Sequence, residues 1–357
     1  MRRPAALLTL CFCCIVAAAA AAATYEQVTA GRALEFPADL GSHPQFRTEW
    51  WYVTGWLNTT GGEPLGFQIT FFRTKPDIDD GNPSAFTARQ LLIAHCALSD
   101  PKHGRLWQDQ RIVRAGLGLA GAAEGDTHVW IGPWSLIHEG PAYQASVAAE
   151  DFSFDLKLSE TQPMLVNGED GVSRKGPDPR AASYYYSLPH INVQGTITRQ
   201  GSASRVGGEA WFDHEWSSEY LDAQAVGWDW IGINLNDGGA LMAFQIRGTD
   251  GNPRWAGGTY RAGNGTTQAL GPHQVEFDAG RRWTSPRTGI VYPVEWKVHA
   301  GDRELRLAPL FDDQENDTRL STGAIYWEGA VRAYEGTKQV GRGYLELTGY
   351  GEPLRLR

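Results

Sequence analysis

Cysteine is nearly missing from this sequence. Of four in 357 residues, Cys11, Cys13 and Cys14 crowd the N-terminus and only Cys96 lies beyond it. No internal disulfide can form once that stretch is set aside, so stability has to come from a packed core. Past the first residues, no apolar run approaches the ~20 residues that a membrane helix needs. Positive charge is short as well: 32 Lys and Arg stand against 41 Asp and Glu, a formal net charge of −9, with acids and bases scattered. Without a basic stripe for a phosphate backbone, nucleic acid is excluded as a partner. HExxH, paired histidine spacing and zinc-type cysteine pairs are missing, which leaves no metal signature and no cofactor. GxSxG and a Walker glycine loop are missing too, and with them the usual residues of hydrolases and nucleotide enzymes. The acidic "FDDQEND" at 311–317 lacks the spacing and turn glycine of an EF-hand and reads as a solvated loop.

What is present begins with "MRRPAALLTLCFCCIVAAAAAAATYEQ", two arginines, an apolar run and a string of alanines. That order is the signature of a secretory signal peptide over residues 1–23. The expected location is therefore the periplasm or the medium. The remaining length suits two domains, expected at 24–221 and 222–357.

Aromatics and glycine are abundant, with 14 Trp, 13 Tyr, 13 Phe and 42 Gly, a mixture that favours pleated, turn-rich structure. Segments such as "TEWWYVTGWLN", "LGFQITFFR" and "RQLLIAHCAL" are strand-length with period-two patterning, and no stretch of comparable length holds a helical period. The chain reads as all-β. An internal repeat sharpens this: "WYVTGWLNTTGGEPLGFQI" from Trp51 lies on "WDWIGINLNDGGALMAFQI" from Trp228 at an offset of 177, with seven identities in nineteen. About one or two would arise by chance. The same hairpin occurs twice, so two similar β domains in tandem are expected. Bulky residues on both faces of the strands favour closed antiparallel barrels of lipocalin type, which have no open edges and hold one apolar ligand. The stretch "NGEDGVSRKGPDPRAASYYYSLPH" at 167–190 reads as a long surface loop of the kind that often carries function.

The candidate site residues cluster in "AWFDHEWSSEYLDAQAVGWDWIGINL" from position 210. In a strand, Asp213 and Glu215 point to one side and His214 and Trp216 to the other. A carboxyl kept protonated by an apolar wall, or a histidine poised near neutrality, would serve as a general acid; capping, ion pairing or core packing are the plainer alternatives. Trp228 and Trp230 share one face with Asp229 opposite, and their indoles would hold a polyene or steady a passing cation, worth about 2 kcal/mol when desolvated, or simply pack a core. Asp229, if buried, must be satisfied. Glu49 and Trp51 share a face opposite Trp50 and Tyr52; an arginine such as Arg73 or Arg89 would turn Glu49 into an ordinary buried ion pair. His95, in "LLIAHCAL", has few polar neighbours and suits a hydrogen-bonded core position or a ligand contact.

Taken in order, "HPQFRTEWWYVTGWL", "FQITFFR", "AHCALSD", "WFDHEWSS", "GWDWIGINL" and "YWEGAV…GRGYLELTGY" resemble the AttH and carotenoid 1,2-hydratase (CrtC-like) family, often labelled "predicted secreted hydrolase", over nearly the whole chain. The resemblance implies two lipocalin-like barrels and, for the hydratases, protonation of an isoprenoid alkene followed by capture of the cation by water. It implies a His-x-Trp segment, matched by His214 and Trp216, and a Tyr-x-Asp on a following strand. Here Leu241-Met242-Ala243 stands in that place, so proton delivery would pass to Asp213, Glu215 or Asp229. It further implies exported relatives that sit beside ABC-transporter components. The expectation is an exported double-lipocalin protein that binds a hydrophobic lipid or isoprenoid through Trp216, Trp228, Trp230, Trp51, Tyr52, Glu49 and His95. Two classes stay open: a cofactor-free hydratase or lyase using His214 with Asp213, Glu215 or Asp229, and a non-catalytic lipid carrier or transporter accessory protein.

Overall fold

The computed structural model describes residues 24–78, 84 and 86–353. The expected signal peptide at 1–23 lies outside the described residues. Among the described residues there is no α-helix, and a single 3-10 turn at Ala38–Leu40 precedes the first strand. No helix among the described residues is long and apolar enough to cross a membrane.

Two large antiparallel sheets, of 13 and 10 strands, form two tandem lipocalin-like barrels. The first hairpin, Thr48–Thr59 with Pro64–Thr74, is flanked by Leu91–Ser99 on one side and by Ser202–Ser217 on the other. The second hairpin, Ala225–Leu235 with Ala240–Gly248, opens the second sheet and is joined by Lys338–Leu347 and then Ala324–Glu335. Period-two burial sorts the side chains into three cores. Trp51, Val53, Phe67 and Phe71 fill the first barrel. Ile231, Ile233, Trp296 and Leu345 fill the second. Tyr52, Trp56, Trp211, Trp230, Phe244 and Tyr344 point outward and form a third core between the barrels.

The repeated hairpin is real, but its structural offset is 176, one less than the identities suggest. Gly62 and Gly238 both take positive φ in the turn, and their amides donate to Thr59 and Leu235; 238 − 62 and 235 − 59 both give 176. A slip of one residue exchanges the two faces of a strand. Trp51 therefore points into its barrel while Trp228 points out of its own. Turn geometry and the buried face decide the register, and the matching letters do not.

The stretch at 167–190 is not a surface loop. Ala182–Arg199 is one long strand, its residues 182–191 are all buried, and Lys175 is only 3% exposed. The three tyrosines explain this: Tyr184 and Tyr186 enter the first core and Tyr185 enters the third. An alternating aromatic run is a strand signal that outweighs the glycines and prolines before it.

Candidate functional site

Between the barrels lies a cavity of about 750 Å³, within the range of small-molecule sites. Its walls are mostly apolar. The first barrel contributes Phe72, Leu91, Ile93, His95 and Ile112 from its outer face; the second contributes Trp228, Tyr326 and Glu346; the connection between them contributes Tyr220 and Leu221.

While Glu219 and Asp222 line this space from the connection between the barrels, Glu346 is the acid of the barrel walls that opens into it. It stands directly opposite Glu328 in the antiparallel register of the last two long strands, with both side chains on the face turned to the first barrel. Burial pushes the Glu346 carboxyl up to about 7, helped by the charges of Asp213, Glu215 and Asp229, while the Trp228 indole Nε1, donating at 3.0 Å, works the other way. Glu328 is 2% exposed and held well above the usual carboxylate range by burial and then by Glu346. Two carboxyls so placed cannot both ionise and share protons as a pair. The Tyr52 and Tyr326 hydroxyls face Glu328, although Tyr52 Oη and Glu328 Oε1 close no hydrogen bond of normal geometry.

His95 lines the opposite wall. Its Nδ1 lies 3.0 Å from Tyr326 Oη and its Nε2 lies 2.9 Å from Ser321 Oγ. The Ser321 hydroxyl donates to Gln110 at 2.7 Å. His95 Nε2 must then be the donor to Ser321, which leaves Nδ1 to accept from Tyr326. Burial depresses His95 to about 3, so the ring is neutral in this tautomer.

The four acid-base residues expected from the sequence are not brought together, and none of them lines the cavity. His214 is inside the first barrel, stacked on Trp51 at 4.8 Å, with Nε2 2.9 Å from Glu49 and Nδ1 3.1 Å from Tyr186. Glu49 accepts from Arg73 Nε at 2.7 Å and faces His43 Nδ1 at 2.7 Å; Arg73 is thus its arginine partner. Trp216 stacks on His43 at 3.8 Å. Asp229 is inside the second barrel, held by Arg247 at 3.0 Å, Gln245 at 2.7 Å and Tyr350 at 2.9 Å. Asp213 and Glu215 do face the junction. Asp213 accepts from Tyr185, Trp211 and Ser187 at 2.7, 2.7 and 2.5 Å, and burial raises it to about 7. Glu215 pairs with Lys175 at 2.8 Å and takes a bond from Ser183. Trp230 reaches Tyr185 Oη at 3.1 Å and meets Tyr52 edge-on at 5.3 Å. Of the expected ligand contacts, Trp228 and His95 line the cavity.

His43, Glu49 and His214 place three ligand atoms within 4.8 Å of one another. Both rings aim at the same Glu49 Oε1, at 2.7 and 2.9 Å, so the point on which a metal's ligands would converge is occupied by a ligand oxygen. Arg73 already neutralises that carboxylate. The three are better satisfied as a hydrogen-bonded knot than as a coordination sphere.

Glu328, Glu346 and Tyr326 were missed from the sequence, though a signal was there. In "IYWEGAV" and "YLELTGY" an acid follows a tyrosine at strand period, flanked by apolar residues on both sides. An acid on an otherwise buried face is the pattern of a tuned carboxyl.

Residues 27–350 match the model of a family described as AttH-like. An AttH protein from Nitrosomonas europaea, solved at 2.00 Å, is 53% identical with a TM-score of 0.86, covering 91% of this chain and 99% of its own. Kievitone hydratase from Nectria haematococca aligns at 17% identity and a TM-score of 0.68, covering 92% and 96%. CghA, solved with Sch210972, aligns at 11% identity and 0.51, covering 85% and 89%. The last two share the fold alone. No curated protein matches the chain.

Proposed function

We propose that this chain, which belongs to the AttH-like family, binds a hydrophobic lipid or isoprenoid between its two barrels and adds water to it, or removes water from it, by acid-base catalysis without a cofactor. The observation that carries the reading is Glu346, a carboxyl protonated up to about pH 7 that opens into an apolar, aromatic-walled cavity. The protonated carboxyl gives its proton to an alkene carbon; the cation left behind is steadied by the faces of Trp228, Tyr220 and Phe72. Water then forms the new C–O bond and returns a proton to the Glu346 carboxylate, with Glu328 as the second proton holder. The balance is one water per double bond, and the reverse sequence is a dehydration. The same fold in kievitone hydratase supports a hydratase-like protein of this build.

Of the residues singled out in the sequence, Trp228 and His95 serve in this reading as ligand contacts. Burial keeps the proton on Glu346, and Asp213, Glu215 and Asp229 add to it as they ionise. His214, Asp229, Glu49, Trp51 and Trp216 hold the barrels in shape. The basic, apolar and alanine-rich order of residues 1–23 supports export to the periplasm or medium.

Native mass spectrometry of protein purified from its own envelope, followed by extraction of the bound molecule, tests the reading and supplies the substrate. Turnover of that molecule should fall at least ~100-fold in Glu346→Gln while affinity changes little, as for the loss of a general acid. A second reading, a lipid carrier serving an ABC transporter, is favoured by the predominance of apolar wall over polar groups; it predicts retained transfer activity in Glu346→Gln. A protein that stays empty after exposure to total lipid extract would refute both.

A further inference from the structure

Among the described residues few large apolar side chains are exposed, and three of them stand at the mouth of the cavity. Leu320, 87% exposed, tips the turn whose next residues, Ser321 and Thr322, line the cavity. Ile112, 44% exposed, is itself a lining residue. Phe86, 74% exposed, lies under the Arg114 guanidinium at 5.0 Å, and Arg114 sits opposite the lining residue Leu91 in the strand register. The Leu320 turn is tied to the first barrel, because Gln110, in the strand Leu106–Arg114, donates to the Asp317 carbonyl at 2.8 Å and accepts from Ser321.

We infer that this rim is a docking surface for a lipid bilayer, through which the cavity exchanges its ligand with the membrane. A leucine at the tip of a polar turn costs free energy in water and is repaid by insertion into the acyl boundary. The charge around it fits anionic headgroups. Of the acids at the mouth, Asp222 is matched by Arg254 at 3.0 Å and Asp317 by Arg319 at 2.6 Å, while Glu219 shares Arg180, at 3.5 Å, with Asp178. Arg114 adds positive charge beside Phe86, donating to the Phe86 carbonyl at 2.8 Å. Among the described residues of this rim, Arg114, Arg254 and Arg319 thus stand beside Phe86, Asp222 and Asp317 in a chain whose net charge is −9. The inference goes beyond the proposed chemistry and does not depend on it.

Flotation of the full protein with vesicles of phosphatidylcholine containing about one third phosphatidylglycerol tests it. Wild type is expected to float with the vesicles, and Leu320→Asp to cut the floated fraction at least five-fold with an unchanged thermal melt, since that side chain touches little. Glu346→Gln is expected to float like wild type, which separates docking from the acid chemistry. Absence of wild-type flotation overturns the inference, and so does flotation of both Leu320→Asp and Phe86→Asp at the wild-type level. A dimer by light scattering that Leu320→Asp dissolves would assign the patch to self-association and overturn it as well.

Discussion

Glu328 and Glu346 face each other across neighbouring antiparallel strands, on the outer wall of one barrel and under the aromatic wall of the other. A like-charge pair directly opposite in a sheet is destabilising when both are ionised. The pair persists because at least one proton stays. The infrared spectrum should show this without any ligand: a protonated-carboxyl carbonyl band at full strength at pH 6 that loses part of its intensity as pH rises through about 7, the Glu328 proton remaining. In Glu346→Gln the remaining band, that of Glu328, should titrate at lower pH than in wild type, because the charge of Glu346 that holds it up is gone.

Trp228 tunes this proton. Its indole N–H stabilises the Glu346 carboxylate, so Trp228→Phe keeps the aromatic face and removes the donor. The titration of Glu346 should move upward in pH. Trp228→Ala should do the same and weaken ligand affinity roughly 10-fold, the ~1–2 kcal/mol of a lost aromatic contact. Infrared titration and ligand binding by calorimetry read the two effects separately.

Stability should fall with rising pH between about 4 and 7. Asp213, 3% exposed, is raised by burial from its ordinary value to about 7. The folded state then binds this proton more tightly than the unfolded chain does, so the contribution is full below the unfolded value and lost as pH rises through about 7. The effect is on the order of a few kcal/mol. Denaturant midpoints measured at pH 5 and pH 8 should differ more in wild type than in Asp213→Asn, where the titrating group is gone.

The knot of Glu49, Arg73, His43 and His214 should behave as structure. Arg73→Ala strands the Glu49 carboxylate at 0% exposure and should cost roughly 3–5 kcal/mol. His214→Ala should destabilise by about 2–4 kcal/mol while ligand affinity measured on the folded fraction stays within about three-fold. A His214 variant that melts like wild type but loses turnover would restore this residue to the chemistry.

Patterning carried the fold a long way. Period two in "TEWWYVTGW" separates Trp51 from Tyr52, and the structure sends the first into a barrel and the second between barrels. The same rule parts Asp213 from His214. What it could not give was which carboxyl meets a cavity, because that depends on a strand pairing between positions 328 and 346 and on a barrel-to-barrel contact hundreds of residues apart in the chain. Asp213 and Asp229 looked alike as acids among tryptophans; one meets three neutral donors and the other an arginine. The repeat misled for a related reason. Identity was highest one residue away from the register that burial and the glycine turn enforce.

The third core has a kinetic consequence. Trp56 Nε1 bonds the Gly343 carbonyl at 2.9 Å and Asn234 Nδ2 bonds the Ala210 carbonyl at 3.1 Å, both across the junction that Trp211, Trp230 and Tyr344 fill. Rocking the barrels apart would expose these indoles and break those bonds together. The hinge is in effect glued shut, and a guest has to pass the side chains at the entrance one at a time. Residence times would then be set by a few rotamers at that entrance, and could be long even for a guest held weakly.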